Sequence, residues 1–350
     1  MIVKKVEGIK FRKRLHFCKS QIDKQSALLK IVFILSLLIN NYEYYYYNKI
    51  GINLTKEPII RIFIVAHKNF KNYRYNPAYS IVFNGKSKFN NNYNLDVIFA
   101  NNTRLNKMGR AYGEMAQLYY IYELYKKGII SSKYVGLNHY SKYFSFKDNI
   151  PNLDAIFKNY DVILIRPYRA DRIGMKHQFC RAHICSAYNQ VINIIKEIKS
   201  DYYKTAIRTQ RETNIYLKNL FIMKKKDFLK LCEFEFDILF EFDRRNNLTS
   251  DEDVLNFVNK HYHDGRNHYF QSRLEGFLSE RIANIFYYHN FRRRKHFRIT
   301  YNKNAKKGIN KTILKQLHDK KRRIKIATKV VIISMVINII ILLVILLHKF

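Results

Sequence analysis

The chain has 350 residues, 47% hydrophobic and 26% charged, a balance that excludes a disordered protein and allows a sizeable core. Its 64 lysines and arginines against 27 aspartates and glutamates leave a formal net charge of +37. Such a field favours anionic partners: nucleic acid, acidic lipid headgroups or phosphorylated small molecules. The 4 cysteines are too few and too irregular for a disulfide framework and fit a reducing compartment.

Residues 1–58 form a basic N-terminus around a short apolar run, Ala27 to Ile39, interrupted by Lys30. The run resembles the core of a signal sequence and reads either as a signal anchor or as an interfacial helix. Short runs rich in β-branched residues follow at Arg61 to Ala66, Asp96 to Ala100, Tyr134 to Leu137 and Asp161 to Ile165, and each predicts a buried strand. Between and after them, helical periodicity predicts helices over Ala111 to Lys127, from a Ser186 cap to about Lys199, over Phe228 to Phe242, and over Phe270 to Phe286. Alternating strands and helices predict an α/β fold, a mainly parallel sheet flanked by helices, with ligands beyond the carboxyl ends of the strands. Residues 299–325 read as a basic linker. Residues 326–347, with the core VVIISMVINIIILLVILL, predict a C-terminal transmembrane helix, and hence membrane localisation with membrane lipids as partners. Lys320, Lys321, Arg322, Arg323 and Lys325 favour a cytoplasmic flank, but if residues 27–39 also span, the folded part lies on the far side. The orientation stays open.

Several polar groups stand where chemistry is expected. His67 and Lys68 follow the first strand directly. The strand at Tyr134 ends in Asn138, His139 and Tyr140, with Lys142 close behind, and an imidazole there can bind phosphate, ligate a metal or act as acid or base. Arg273, Gly276 and Glu280 share one helical stripe, which suits either an active cleft or a plain intrahelical network. His177, Cys180, His183 and Cys185 fall within nine positions, too tight for a zinc tetrahedron of the usual two-knuckle kind. No Walker-type loop, G-x-G-x-x-G or nucleophile elbow is present.

The blocks IFIVAHK (62–68), RAYGEMAQLYYIYELYK (110–126), YVGLNHYSKYF (134–144), YLKNLFIMKK (216–225) and RLEGFLSERI (273–282) together resemble the bacterial capsule and exopolysaccharide proteins of the domain of unknown function 4422 family. That family is regarded as glycosyltransferase-like, of GT-A type, and the similarity runs from about Ile59 to Arg298. Ala66 departs from a family threonine, and Ser141 and Lys142 from two arginines, which removes a bidentate fork for phosphate. The resemblance implies a GT-A-like fold for residues 59–298 and transfer of a sugar from a nucleotide-sugar donor to a glycan or lipid-linked acceptor. It implies His139, Glu280 and Glu114 as catalytic groups, and His67, Lys68, Asn138, Tyr140, Lys142 and Arg273 as donor-binding groups. A divalent metal, Mn or Mg, is left open, with no ligands assigned. The rival readings are a membrane-tethered, non-enzymatic basic protein binding nucleic acid or acidic polysaccharide, and a degenerate transferase that binds donor without turnover; nucleic acid is the less favoured partner.

Overall fold

The computed structural model describes residues 58–70, 76–84, 95–100, 103–146, 149–170, 173–262 and 267–302. Its strands are β1 Ile60–Ala66, β2 Tyr79–Phe83, β3 Asp96–Phe99, β4 Tyr134–His139, β5 Lys142–Phe144, β6 Val162–Ile165, β7 Tyr168–Arg169, β8 Asn214–Ile215, β9 Phe221–Lys224, β10 Arg294–Phe297 and β11 Ile299–Tyr301. The helices of seven or more residues are α1 Glu114–Lys126, α2 Leu153–Asn159, α3 Gly174–Cys180, α4 Cys185–Ile198, α5 Ser200–Thr209, α6 Lys225–Asn246, α7 Asp251–His261 and α8 Leu274–Asn290.

One sheet organises the molecule, in the order β10-β6-β9-β4-β1-β2-β3, with β5 pairing β4 and β11. Every pairing among β4, β1, β2 and β3 is parallel, as is that of β10 with β6, whereas β9 runs against both β4 and β6. All seven residues of β1, IRIFIVA, are buried because both sheet faces are covered. Phe63 and Val65 join the larger core beneath α1, α4, α6 and α8, and Ile62 and Ile64 join the smaller core with Phe157 of α2.

The expected strands form, and β4 extends two residues further, to His139. The two longest expected helices at the site are broken. Gly113, at φ +55°, separates the short helix Gly109–Tyr112 from α1, and Ser272 and Arg273 separate the short helix His268–Gln271 from α8. Ser186 does not cap α4; Ile184 holds the cap position, without a side-chain bond. Cys180 and Cys185 form a disulfide between α3 and α4, a single short-range bridge where the sequence suggested no disulfide framework and a reducing compartment.

The fold expected from sequence, ending in a transmembrane helix, is also corrected. Among the described residues no helix is long and apolar enough to cross a membrane. Residues 27–39 and 326–347 lie outside the described residues, and the fold is a mixed α/β sheet of mostly parallel strands. The expected membrane localisation is corrected by the same finding.

Candidate active site

The chain runs outward from β1 to β2 and β3 on one side, while β4 lies on β1's other flank. The carboxyl ends of β1 and β4 therefore flank a topological switch point, where an open α/β sheet leaves a crevice. Val65 pairs with His139 across it, so His67 and His139 stand at the same end of adjacent parallel strands.

Pleating decides which strand-end groups enter the crevice. Side chains alternate faces along a strand, so His139 shares the face of Val135 and Leu137, against the larger core. Asn138 falls on the opposite face, 1% exposed, and neither atom of its amide has a hydrogen-bond partner among the described residues. It does not line the crevice.

The imidazole of His139 is tied down. Its Nε2–H donates to the Lys218 carbonyl at 2.9 Å, which fixes the tautomer because a carbonyl can only accept. Burial lowers its pKa, outweighing the opposing charge of Glu114, so the ring is held neutral. Lys218 and Asn219 carry φ of +76° and +48°, forming a left-handed corner between β8 and β9. Two helices secure that corner. Glu280 Oε1 on α8 accepts the Lys218 N–H at 2.7 Å, and the Asn219 amide donates to Ser279 Oγ at 3.2 Å and reaches Met115 of α1. Glu280 Oε2 pairs with Arg281 at 2.6 Å. Burial raises the Glu280 pKa, and Arg281 opposes that shift.

Glu114 opens α1 directly after Gly113, where an added Cβ would lie 3.4 Å from the Arg273 guanidinium. Its carboxylate is 3.4 Å from Arg273 and 3.9 Å from His139 Nε2. Both distances exceed the normal charge-assisted bond, so this carboxylate is the least committed of the acids here. One turn on, Gln117 donates to the Ala66 carbonyl at 2.8 Å and pins α1 to the end of β1. Gly276 permits the close approach of α8, since a Cβ there would meet the Tyr112 carbonyl oxygen at 3.3 Å.

These groups surround a cleft of about 940 Å³. Of the residues expected from sequence, His67, Glu114, His139, Tyr140, Lys142, Arg273 and Glu280 line it. Lys68 stands behind, its Nζ 5.5 Å from the Tyr140 ring centre, while His67 meets the same ring edge-on at 5.2 Å. Burial lowers the pKa of His67, and Lys68 and Arg273 lower it further. Burial likewise lowers that of Lys142. Lys218, Arg110, Asp251, Tyr269 and Phe277 also line the cleft and were not singled out from the sequence. The only local sign for Lys218 is the Lys-Asn pair between two apolar strands, since Asn tolerates a left-handed turn.

Among the described residues, the acids of this cleft do not suit a divalent cation. Asp251 accepts the N–H groups of Arg110 and Ala111 at 3.0 Å each, Glu280 is bound to Lys218 and Arg281, and Glu114 is left single. Among the described residues no group of three His, Cys, Asp or Glu side chains could hold a metal ion. His183, one of the four residues weighed for zinc, instead contacts Gln271 at 2.9 Å.

The model of the domain of unknown function DUF4422 matches residues 61–291, well over half of the chain. The chain belongs to the DUF4422 family. Among solved structures, the apo bifunctional glycosyltransferase WbbM is similar in fold, with a TM-score of 0.50 and 16% sequence identity over 70% of this chain. The match spans 45% of the WbbM chain. No curated protein matches the chain. For this DUF4422 member, the likeness concerns the fold alone: a mixed α/β architecture with a sheet of mostly parallel strands.

Proposed function

We propose that the protein is a glycosyltransferase that moves a sugar from a nucleotide-sugar donor to a glycan acceptor. The observation that carries this reading is the convergence of His67, Tyr140, Lys142 and Arg273 on a cleft at the switch point of the sheet, opposite one weakly committed carboxylate, Glu114. Lys142 and Arg273 supply positive charge for a diphosphate in a crevice where low dielectric strengthens each contact. The fold shared with a glycosyltransferase and membership of the DUF4422 family are consistent with it.

In the reaction proposed, an acceptor hydroxyl oxygen bonds to the anomeric carbon of the donor sugar while the anomeric C–O bond to the diphosphate breaks. The nucleoside diphosphate departs with that electron pair. Glu114 takes the hydroxyl proton. Glu280, with both oxygens engaged, acts as a positioning residue that holds Lys218 and, through its carbonyl, His139.

The test is a thermal-shift screen of the protein against UDP-, GDP- and dTDP-sugars with and without manganese, followed by product analysis on any hit. A stabilising nucleotide sugar whose sugar appears on a glycan acceptor supports the reading. No stabilisation by any donor, alongside steeply salt-dependent binding of single-stranded DNA, favours a basic binding protein instead.

A further inference from the structure

The groups assigned to the donor sit on the sheet crevice and on Arg273. The remaining wall of the cleft stands off the sheet and is aromatic, carrying Tyr269 and Phe277 beside Arg110 and Asp251. Nothing in the transfer chemistry above uses it.

This wall is rigid from behind. The short helix His268–Gln271 starts at Asn267, whose side chain accepts the Phe270 N–H at 3.2 Å. Gln271 is buried, its amide donating to the Ala182 carbonyl at 2.9 Å, and Ser272 Oγ donates to the Tyr269 carbonyl at 2.8 Å. With that side anchored, Tyr269 is turned outward and left 59% exposed. One face of its ring is covered by the Arg110 guanidinium, 3.9 Å from the ring centre. Arg110 is placed in turn by Asp251, which binds its backbone N–H. Phe277 is backed in the same way by His183, whose ring stacks at 4.0 Å and 27°. His183 lies in the loop closed by the Cys180–Cys185 disulfide.

Two aromatic rings thus stand at the wall of a polar cleft: Tyr269 is exposed, and Phe277 is half-buried between His183, Phe270 and Arg273. A large exposed aromatic held in fixed orientation, as Tyr269 is, marks a contact surface, since burying it against a partner yields apolar area at little entropic cost. The partner must be flat and apolar on one face and hydrogen-bonding at its edges, because Arg110 borders the Tyr269 ring and Asn106 lines the same cleft. A pyranose has both properties: a face of C–H groups and a rim of hydroxyls.

We infer that Tyr269 and Phe277 form the acceptor subsite, where a pyranose ring of the glycan acceptor stacks on Tyr269. This rests on the transferase reading, and it assigns the acceptor to the off-sheet wall while the donor occupies the crevice of β1 and β4. Tyr269 is a specificity-determining residue with no part in holding the nucleotide.

The probes are a panel of methyl hexopyranosides and methyl N-acetylhexosaminides, observed on the full-length protein by saturation-transfer NMR, and UDP or the nucleotide found in the screen, measured by calorimetry. At least one glycoside is expected to bind the unaltered protein. Tyr269→Ala is expected to weaken it about fivefold or more, Tyr269→Phe to retain it, and both to bind nucleotide as before. The melting temperature should hold, because the ring is exposed. Three results overturn the inference: no glycoside bound, equal binding by Tyr269→Ala, or a fall in nucleotide affinity in Tyr269→Ala, which would place the donor's base on this ring. Failure of the nucleotide to bind the unaltered protein counts against the donor reading alone, and glycoside binding through Tyr269 distinguishes the two failures.

Discussion

The amide of Lys218 donates to the carboxylate of Glu280 at 2.7 Å, and this bond holds a lysine in the left-handed region at φ +76°. A residue with a Cβ stays there only when its surroundings over-determine it, at a cost of order 1–3 kcal/mol. Glu280 and His139 supply that constraint from the two ends of one peptide unit pair, the first on the N–H and the second on the carbonyl.

Glu280→Ala is therefore expected to be strongly destabilising. It leaves the Lys218 N–H without its acceptor and the buried Arg281 without its charge partner, and breaking a buried pair on one side costs about 3–5 kcal/mol. Glu280→Gln keeps an acceptor for the amide and should lose clearly less. Urea unfolding of the two variants measures the difference. Equal stability of Glu280→Ala and the parent would show that the corner is held by other contacts.

His139→Ala separates support from chemistry. The ring is only 8% exposed and its donor is committed to Lys218, so the change removes a hydrogen bond and opens a void. A loss of about 1–3 kcal/mol of stability is expected from the orphaned carbonyl alone. His139→Gln, which returns an N–H donor, should recover part of it. A melting temperature unchanged in His139→Ala, with donor affinity reduced, would assign the ring to the donor and not to the corner.

Much of this was legible in the sequence, and the misses have identifiable causes. The apolar runs of β1 and β4 reveal the sheet because a strand buried on both faces is largely apolar, and His67, directly after β1, and His139, the last residue of β4, mark the crevice. Asn138 was misplaced because the strand was ended at Leu137; a strand continuing to His139 sends neighbours 138 and 139 to opposite faces. The periodicity of residues 111–127 ran unbroken through Gly113, since the break depends on the approach of Arg273 and α8 from 160 residues away, as the 159-residue separation of Arg273 and Glu114 shows. Lys218 is hidden for a related reason: its corner is secured by α1 and α8, and the Lys-Asn pair between two apolar strands is only a weak local sign of it. The disulfide could not be read from spacing alone, because pairing Cys180 with Cys185 requires the turn between α3 and α4 that brings their Cα atoms to 4.4 Å.

Glu275 is expected to make the stability of the fold depend on pH. It is fully buried on α8, and burial first and the nearby Asp243 charge second raise its pKa well above the ordinary carboxylate value. The folded state thus holds a proton that the unfolded chain releases. Its contribution is complete below the unfolded pKa of about 4.3 and is lost as pH rises towards the folded value, by up to about 1.4 kcal/mol per pH unit. Glu275→Gln should flatten that decline and raise stability at alkaline pH relative to the parent. Parallel pH profiles for the two proteins would show that the carboxyl is not protonated in the fold.

Lys142 links pH to donor binding. Burial lowers its pKa, Lys218 lowers it further, and Glu114 and Glu280 oppose them. A lysine shifted down loses its ammonium at a lower pH than an ordinary one, and the charge it offers a diphosphate goes with it. Nucleotide affinity is therefore expected to fall with rising pH before the ordinary lysine range of about 10.4 is reached. Arginine stays charged throughout, so Lys142→Arg should flatten this fall, and it restores the planar fork that binds phosphate oxygens in pairs. Lys142→Ala should lose about 1.5–3 kcal/mol of nucleotide binding, roughly tenfold or more, near neutral pH, and with it the pH dependence. Since the side chain is half-buried at the cleft and not in the core, the melting temperatures of both variants should stay close to that of the parent. Calorimetric titration of nucleotide into the three proteins across the alkaline range reads all of this at once. An alanine variant that binds nucleotide as tightly as the parent, or an arginine variant with the parent's pH profile, would remove Lys142 from the donor site and leave Arg273 as the cation to test in its place.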